Sequence, residues 1–377
     1  MGTAVVETVF IPPFTHPDIT GVTFGGFLAG KYQASQPNAT PDDDNPDVAD
    51  SADPGTVPAA TRVGVPPWRY ITFHQARKAA ANLGVGWHLM TSFEWASLAL
   101  WSQMMGTMPH GNNKNVNPPA DIDYPTETAL LDRAGNARNA DWYPCLCGTG
   151  PNTWSHNHGA DGVFDLNGNM WEWNDGLFLC PASLNDNSDT PHVVTDAGGE
   201  GYPLVLASLN VTLLTAPYGK STSVAAGSLA DTNKGWTVNQ FAGNFLYDVA
   251  GSLFYIDSNT ETALTIDGAN TPAAGAYSIL KVIAVDITGG MTSGNKILTL
   301  RNADADLKPF AIPATSDATG SNIYGKDGYW FDKTVLRATR RGGYWAARAN
   351  AGVFALNLYG ASSGSSGGVG LRVAKSL

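Results

Sequence analysis

Charge is scarce in this chain. Only 15% of its 377 residues are Asp, Glu, Lys or Arg, against roughly 25% in an ordinary soluble domain. No Lys/Arg-rich run offsets the net charge of −11, so nucleic acid and phosphate-bearing partners are not expected. No stretch of about 18 apolar residues occurs, and no membrane span is expected. The amino terminus (MGTAVVETVF) has no basic region followed by an apolar core, so no signal peptide is visible. Three cysteines do not make a disulfide framework. Also missing are GxSxG, HExxH, a phosphate loop and a dinucleotide fingerprint.

Gly, Pro and aromatic residues are plentiful. There are 42 Gly, 23 Pro and 11 Trp, and hydrophobic residues make up 43%. That is enough for a real core and argues against wholesale disorder. The composition suits a loop-rich or β-rich fold rather than a helix bundle, and the length suits two or three domains.

Residues 1–35 read as strands and tight turns. Residues 36–66 hold eight Pro or Gly and an acidic cluster from Asp42 to Asp53, and read as a surface loop. Two helices follow. Thr72 with Gln75 makes a capping box and Gly84 closes the first; Thr91 with Glu94 starts the second, which runs to Gly106. In the second, Trp95, Leu98, Trp101 and Met105 recur at helical spacing, which predicts a buried face. Residues 107–200 have no sustained period. Residues 204–305 read as strand after strand, a β-rich module interrupting the surrounding domain. The stretch Gly342–Leu377 is mostly Gly, Ala, Ser and Asn around Trp345, Phe354 and Tyr359.

Some residues invite chemistry singly. Cys145 and Cys147 precede His156 and His158, four donors that suit zinc in kind. CxC with HxH is not a common zinc spacing, however, and Cys180 stands alone. Partly buried thiols and loop histidines are expected there. Asp161 and Asp165 lack anything that fixes them as an acid–base pair. Carboxylates in such loops form Asx-turns or bind calcium.

The most specific string is Phe164-Asp-Leu-Asn-Gly-Asn-Met-Trp-Glu-Trp173. It closely resembles the G-N-V-W-E-W signature of formylglycine-generating-enzyme-like (sulfatase-modifying-factor) domains, a branch of the C-type lectin fold. Its scaffold residues here are Gly168, Asn169, Trp171, Glu172 and Trp173. Other motifs follow in family order. Phe27–Tyr32 resembles the early strand and Trp68–Asn82 the first helix with its approach. His88-Leu-Met-Thr-Ser-Phe-Glu-Trp95 is similar to R-L-P-T-E-A-E-W. Arg341-Gly342-Gly343-Tyr344-Trp345 is similar to R-G-G-S-W, and Gly370-Leu-Arg-Val373 to G-F-R-V. The resemblance covers roughly 1–200 and 320–377 and implies an α+β C-type lectin fold.

Two departures bear on function. The family's enzymes use cysteines in the carboxy-terminal segment to hold copper, and no Cys follows Cys180. Formylglycine generation is therefore not expected. His88 stands where the R-L-P-T motif has arginine. The resemblance also allows a calcium ion on the Asp165 and Glu172 side chains with the carbonyls of Gly168 and Met170. The alternative, preferred here, is that these carboxylates bond loop backbone amides, and no cofactor is required.

The tract from Arg341 to Leu358 is similar to the variable region of diversity-generating-retroelement target proteins, which share this fold and end in randomised adenine-containing codons. The matching positions are Tyr344, Ala346, Ala347, Arg348, Tyr359, Gly360, Ser362, Gly364, Ser366, Gly367 and Gly368. Randomising the adenines of AAC or AAT cannot produce Trp, Met, Lys, Glu, Gln or a stop. Every residue at these positions is reachable. Trp345 is not, and it sits where the family keeps a fixed Trp. Ala349–Leu358 would then be constant scaffold.

The resemblance thus implies a binding protein rather than an enzyme, with residues 1–203 and 319–377 as the lectin-like domain and 204–318 as the inserted module. Parts of the insert, such as Asn233–Gly243, resemble short repeats of phage structural proteins. Phage structural partners through the insert, and a virion or cell-surface setting, would follow. The displayed surface would meet a protein or glycan ligand. The alternatives are a sulfatase-modifying-factor-like enzyme with altered chemistry, marked by a deep polar pocket of titratable groups beside the tail, and a calcium-dependent sugar-binding lectin.

Overall fold

Short apolar runs separated by Gly and Pro fold as strands along most of the chain. The structure is a computed structural model and describes residues 4–41, 54–180, 192–196, 218–248, 252–268, 270–283 and 285–377. The acidic cluster at 42–53 and residues 204–217 of the expected insert lie outside the described residues.

The amino-terminal strands are β1 (Thr8–Ile11), β2 (Phe14–His16), β3 (Ile19–Phe24) and β4 (Phe27–Gly30). Gly25 turns the chain between β3 and β4 at φ +77, and a Cβ there would lie 2.1 Å from the Pro12 carbonyl oxygen. Only glycine fits that approach. Helix α1 (Phe73–Ala81) starts on the Thr72–Gln75 capping box. It ends three residues before Gly84, with Asn82 as the cap. Strand β5 (Trp87–Leu89) leads to α2 (Ser92–Met105), which starts on the Thr91–Glu94 box and stops at left-handed Gly106.

The expected apolar stripe on α2 holds only in part. Trp95 and Leu98 are fully buried, but Trp101 is half-buried and Met105 is 57% exposed. Residues 92–100 are buried on every side, so the first turns lie in the core, while the last turn leaves it. The 36–66 segment also departs from a surface loop. Ala59, Ala60 and Val65 are buried, because Ala60 pairs with Ser35 and the Val65 carbonyl accepts the Cys147 N–H at 3.0 Å. Within the aperiodic region lie a short helix, α3 (Arg133–Arg138), capped by Asp132, and a ten-residue strand, β6 (Trp171–Cys180).

Beyond β6 come β7 (His192–Asp196), β8 (Tyr218–Lys220), β9 (Ser223–Ala225) and β10 (Ser228–Ala230). They are followed by β11 (Phe245–Asp248), β12 (Leu253–Asn259), β13 (Ala263–Ile266) and β14 (Ala276–Ile283). The chain then forms a hairpin of β15 (Lys296–Leu300) and β16 (Pro313–Asp317). The last strands are β17 (Tyr329–Phe331), β18 (Arg337–Gly342), β19 (Gly352–Leu358), β20 (Val369–Leu371) and β21 (Val373–Ser376). The fold is mixed α+β and strand-rich.

Two units result: Met1–Asp175 with Thr288–Asp332 and Arg337–Leu377, and Gly176–Ile287 with Lys333–Leu336. These boundaries differ from the expected 204–318 insert. Residues 288–318 pack with the first unit, where buried Arg341 donates from Nη2 to the Phe310 carbonyl at 2.6 Å. In the first unit a four-stranded sheet runs β1-β4-β21-β5. Strand β19 pairs parallel with β17 and antiparallel with β18, and β20 lies parallel to Trp171–Trp173. Trp68, Trp95, Trp154 and Trp173 are fully buried there. In the second unit an antiparallel sheet runs β7-β14-β11-β12-β13-β10-β9. Leu229, Trp236, Leu246, Ile256, Leu264 and Ile279 are among the apolar residues of its core.

Candidate functional site

The Asp165–Trp173 string is the hub to which the tail is tied. Three of its residues have left-handed backbones: Asp165 (φ +63), Gly168 (φ +78) and Asn169 (φ +60). A Cβ on Gly168 would sit 2.0 Å from the Asn112 carbonyl oxygen, which explains glycine. Asn169 is an accepted residue for αL, and its buried amide is fully used. Its Nδ2 donates to Gln33 Oε1 (2.8 Å) and to the Cys145 carbonyl (3.1 Å). Its Oδ1 accepts the Cys145 N–H at 2.8 Å.

Backbone bonds then run from this hub to the tract. Gly168 N–H donates to the Gly342 carbonyl (2.9 Å), Trp345 N–H to Asn169 (3.1 Å) and Trp171 N–H to Gly368 (2.9 Å). The approach to α1 adds two more, Tyr70 N–H to Ser366 (3.1 Å) and Phe73 N–H to Ser362 (3.0 Å). Gly342 and Gly343 both have positive φ, and a Cβ on Gly343 would meet Ala351 Cβ at 2.5 Å. Trp345 is buried, and Trp95 Nε1 donates to the Val353 carbonyl at 2.7 Å. The Ala351–Leu356 block is buried throughout.

The eleven candidate variable positions fall into three groups. Arg348, Tyr359 and Ser366 are exposed. Tyr344, Ala346, Ala347, Ser362, Gly364 and Gly368 are half-buried. Gly360 and Gly367 are buried, and their expected place on a solvent-facing patch does not match that burial. A Cβ on Gly360 would meet the Arg340 guanidinium carbon at 2.3 Å, and one on Gly367 the Trp142 ring at 2.3 Å. Among the described residues, none of these eleven side chains forms a hydrogen bond or ion pair. Arg337 lies over the Tyr359 ring at 5.5 Å, and Tyr344 stands edge-on to Trp345 at 5.3 Å.

Three residues beside the tract carried no sequence signal. Trp142 and Tyr70 lie against Gly367, and Arg340 stacks over the Trp173 ring at 4.0 Å. Trp142 sits in the aperiodic region, and no local spacing could have placed it there.

The two expected calcium-ligand carboxylates have different surroundings. Glu172 is fully buried and forms a two-bond ion pair with Arg372, Nε to Oε2 and Nη2 to Oε1, both 2.8 Å. Gln33 donates to the same Oε1 at 2.9 Å and to the Met170 carbonyl at 3.1 Å. Glu172 thus bonds side chains rather than loop amides. Asp165 Oδ2 accepts the Gly148 N–H at 2.8 Å, while its buried Oδ1 has no partner. Burial pushes the Asp165 carboxyl up to about 6 despite Arg372.

The zinc candidates do not converge. His156 Nδ1 accepts the Val163 N–H at 2.9 Å, and burial lowers its pKa to about 4. His158 Nε2 lies 3.0 Å from the Met108 carbonyl. Cys145 and Cys147 are fully buried rather than partly so, and burial raises both thiols well above the usual range. Among the described residues no group of three or more His, Cys, Asp or Glu is arranged to hold a metal ion. Nor is any helix among them long and apolar enough to cross a membrane. His88, at the departed arginine position, is buried with Nε2 2.8 Å from Glu94 Oε1.

The class these observations define is a strand-rich α+β protein whose carboxy-terminal tract is held by a buried polar strand. No protein-family model matches the chain, and no curated protein matches it.

Proposed function

We propose that this chain is a binding protein that presents a retroelement-diversified surface on a C-type lectin fold of the formylglycine-generating-enzyme subtype. One observation carries the reading. The tract is anchored through backbone groups, which every amino acid has, while among the described residues none of its candidate variable side chains forms a hydrogen bond or ion pair. Apart from buried Gly360 and Gly367, such positions can change without loss of the scaffold, and a fixed backbone lowers the ordering cost of binding. Tyr344 and Tyr359 are the natural anchors for a protein or glycan ligand, since rigid amphipathic rings supply contact area with few torsions to fix. The order of the family motifs and the codon-compatible residues support the same reading.

Copper-dependent oxidation has no place in it, because no thiol follows Cys180. No cofactor is required. Calcium at Asp165 and Glu172 would have to draw Glu172 away from Arg372, so a calcium-dependent sugar-binding mode is the weaker alternative. An enzyme with altered chemistry is the other. Phage structural partners through the strand-rich second unit, and a virion or cell-surface setting, belong to this reading.

The flanking DNA tests it. We expect a reverse transcriptase gene and a near-identical repeat that carries adenines at the codons of the eleven positions. A repeat that differs at the Trp345 codon instead, or no repeat at all, overturns the proposal.

A further inference from the structure

The first unit contains a cavity of about 140 Å³ beside the constant block of the tract. That is close to the roughly 150 Å³ that admits a benzene-sized molecule. His110, Asp121, Asp123, Tyr124 and Asp327 line it, and among the described residues no Lys or Arg does.

These groups play different parts. Asp121 is committed to the wall: its oxygens accept N–H groups of Gly111, Asn113, Asp123 and Tyr124 at 2.8–3.2 Å. His110 stacks on Tyr124 with ring centroids 3.6 Å apart. Its Nδ1 lies 2.9 Å from Glu127 Oε2, so that nitrogen carries a proton, and in the neutral imidazole Nε2 is the remaining acceptor. Burial works to raise the Glu127 carboxyl, but hydrogen bonds from Thr153, His110 and Trp154 outweigh it and keep it low. The carboxylate therefore holds this tautomer.

Asp327 is the unusual member. It is 1% exposed, accepts backbone N–H groups of Phe354 (2.7 Å) and Ala355, and has no ion-pair partner among the described residues. Gly325 and Gly352 cradle it, since a Cβ on either would meet its Oδ1 at 2.5 or 2.1 Å. Burial pushes its carboxyl well above the usual range, and neither the two backbone hydrogen bonds nor the pull of Lys296 reverses this. A carboxylate taken out of water without a counter-ion costs several kcal/mol unless something pairs with it.

We propose that this cavity binds a primary alkylammonium group, with Asp327 as its counter-ion and Asp123 and His110 Nε2 as further acceptors. The absence of convergent metal ligands among the described residues and the room for several heavy atoms favour an organic cation over a bare metal ion. The Tyr124 ring adds a face that attracts cations. This site is independent of the diversified-surface reading and stands or falls without it.

The test titrates the full chain with n-butylammonium, and separately with Nα-acetyl-lysine amide, against equal sodium chloride at about pH 8. Binding is read by calorimetry and by chemical shifts of labelled His and Tyr. We expect at least one amine to bind, and Asp327→Asn to weaken it at least about tenfold with the circular dichroism unchanged. Butylammonium alone would identify a free small amine, and binding of both would identify a lysine side chain as a further source. If Asp327→Asn fails to fold, Ala349→Leu at the exposed rim should block binding instead. No binding of either amine, or binding unchanged in the folded variants, overturns the proposal.

Discussion

Arg372 and Glu172, 200 residues apart in the chain, face each other as a fully buried ion pair joined by two hydrogen bonds of 2.8 Å. The pair ties the closing segment of the chain to the strand that anchors the tract. Arg372 also donates to the Gly30 and Phe164 carbonyls, at 2.9 and 2.8 Å. Removing one partner leaves an uncompensated buried charge. Glu172→Gln should therefore destabilise the first unit by about 3–5 kcal/mol, and Glu172→Gln with Arg372→Met should recover part of that loss. Urea denaturation followed by tryptophan fluorescence measures both. A double variant no more stable than the single would contradict the ion-pair account.

Asp165 should make stability depend on pH in the unusual direction. Its folded pKa of about 6 lies above the free value of 3.8, so the folded protein holds this proton more tightly. The stability it contributes is present below about pH 4, falls as pH rises to about 6 and is flat above. Asp165→Asn should raise stability above that window by up to about 3 kcal/mol and flatten the slope within it. Asn also tolerates the φ of +63. Melting curves in a chelator across this range would show it, and an unchanged slope would remove Asp165 as the cause.

Side-chain changes on the tract should separate anchors from display positions. Tyr359→Ala, Arg348→Ala and Ser366→Ala should each stay within about 0.5 kcal/mol of the parent. Trp345→Ala should cost about 3–5 kcal/mol. Thermal midpoints decide this, and a large loss at Tyr359 would mark it as scaffold.

Gly360 and Gly367 should differ from the other display positions. Gly367→Tyr must displace the Trp142 ring and should cost about 1–3 kcal/mol. Gly360→Tyr needs only the Arg340 guanidinium to swing, with loss of its stacking on Trp173, about 0.5–2 kcal/mol. Equal midpoints for both variants and the parent would show that the local packing yields freely.

Calcium can be tested directly. With Glu172 held by Arg372, the thermal midpoint should move by less than about 1 °C between chelator and millimolar calcium. A rise of several degrees would place an ion on the native state.

The helix starts were legible because a capping box is a local device. Thr72 with Gln75 and Thr91 with Glu94 satisfy backbone donors within four residues. The exposure of Met105 was not legible, because helical spacing defines a face but not where the helix leaves the core. The same limit applies to the unit boundary. Strand-rich composition marked residues 204–305, but that 288–318 packs with the first unit rests on distant partners, such as Arg341 donating to Phe310 and Lys308 donating to Thr20.

For the candidate site, the sequence by itself determined the anchors: Gly168, Asn169, Gly342 and Gly343 lie at positions whose left-handed backbone or close approach permits few residue types. It also shows no Cys after Cys180. Only the tertiary structure decided that Glu172 meets Arg372 and Gln33, that Trp142 covers Gly367, and that Asp327, with no ion-pair partner among the described residues, lines a cavity with His110. Local patterns encode backbone geometry, which acts over a few residues. Charge pairing, burial and cavities arise from segments far apart in the chain, and their energies exist only once those segments have met.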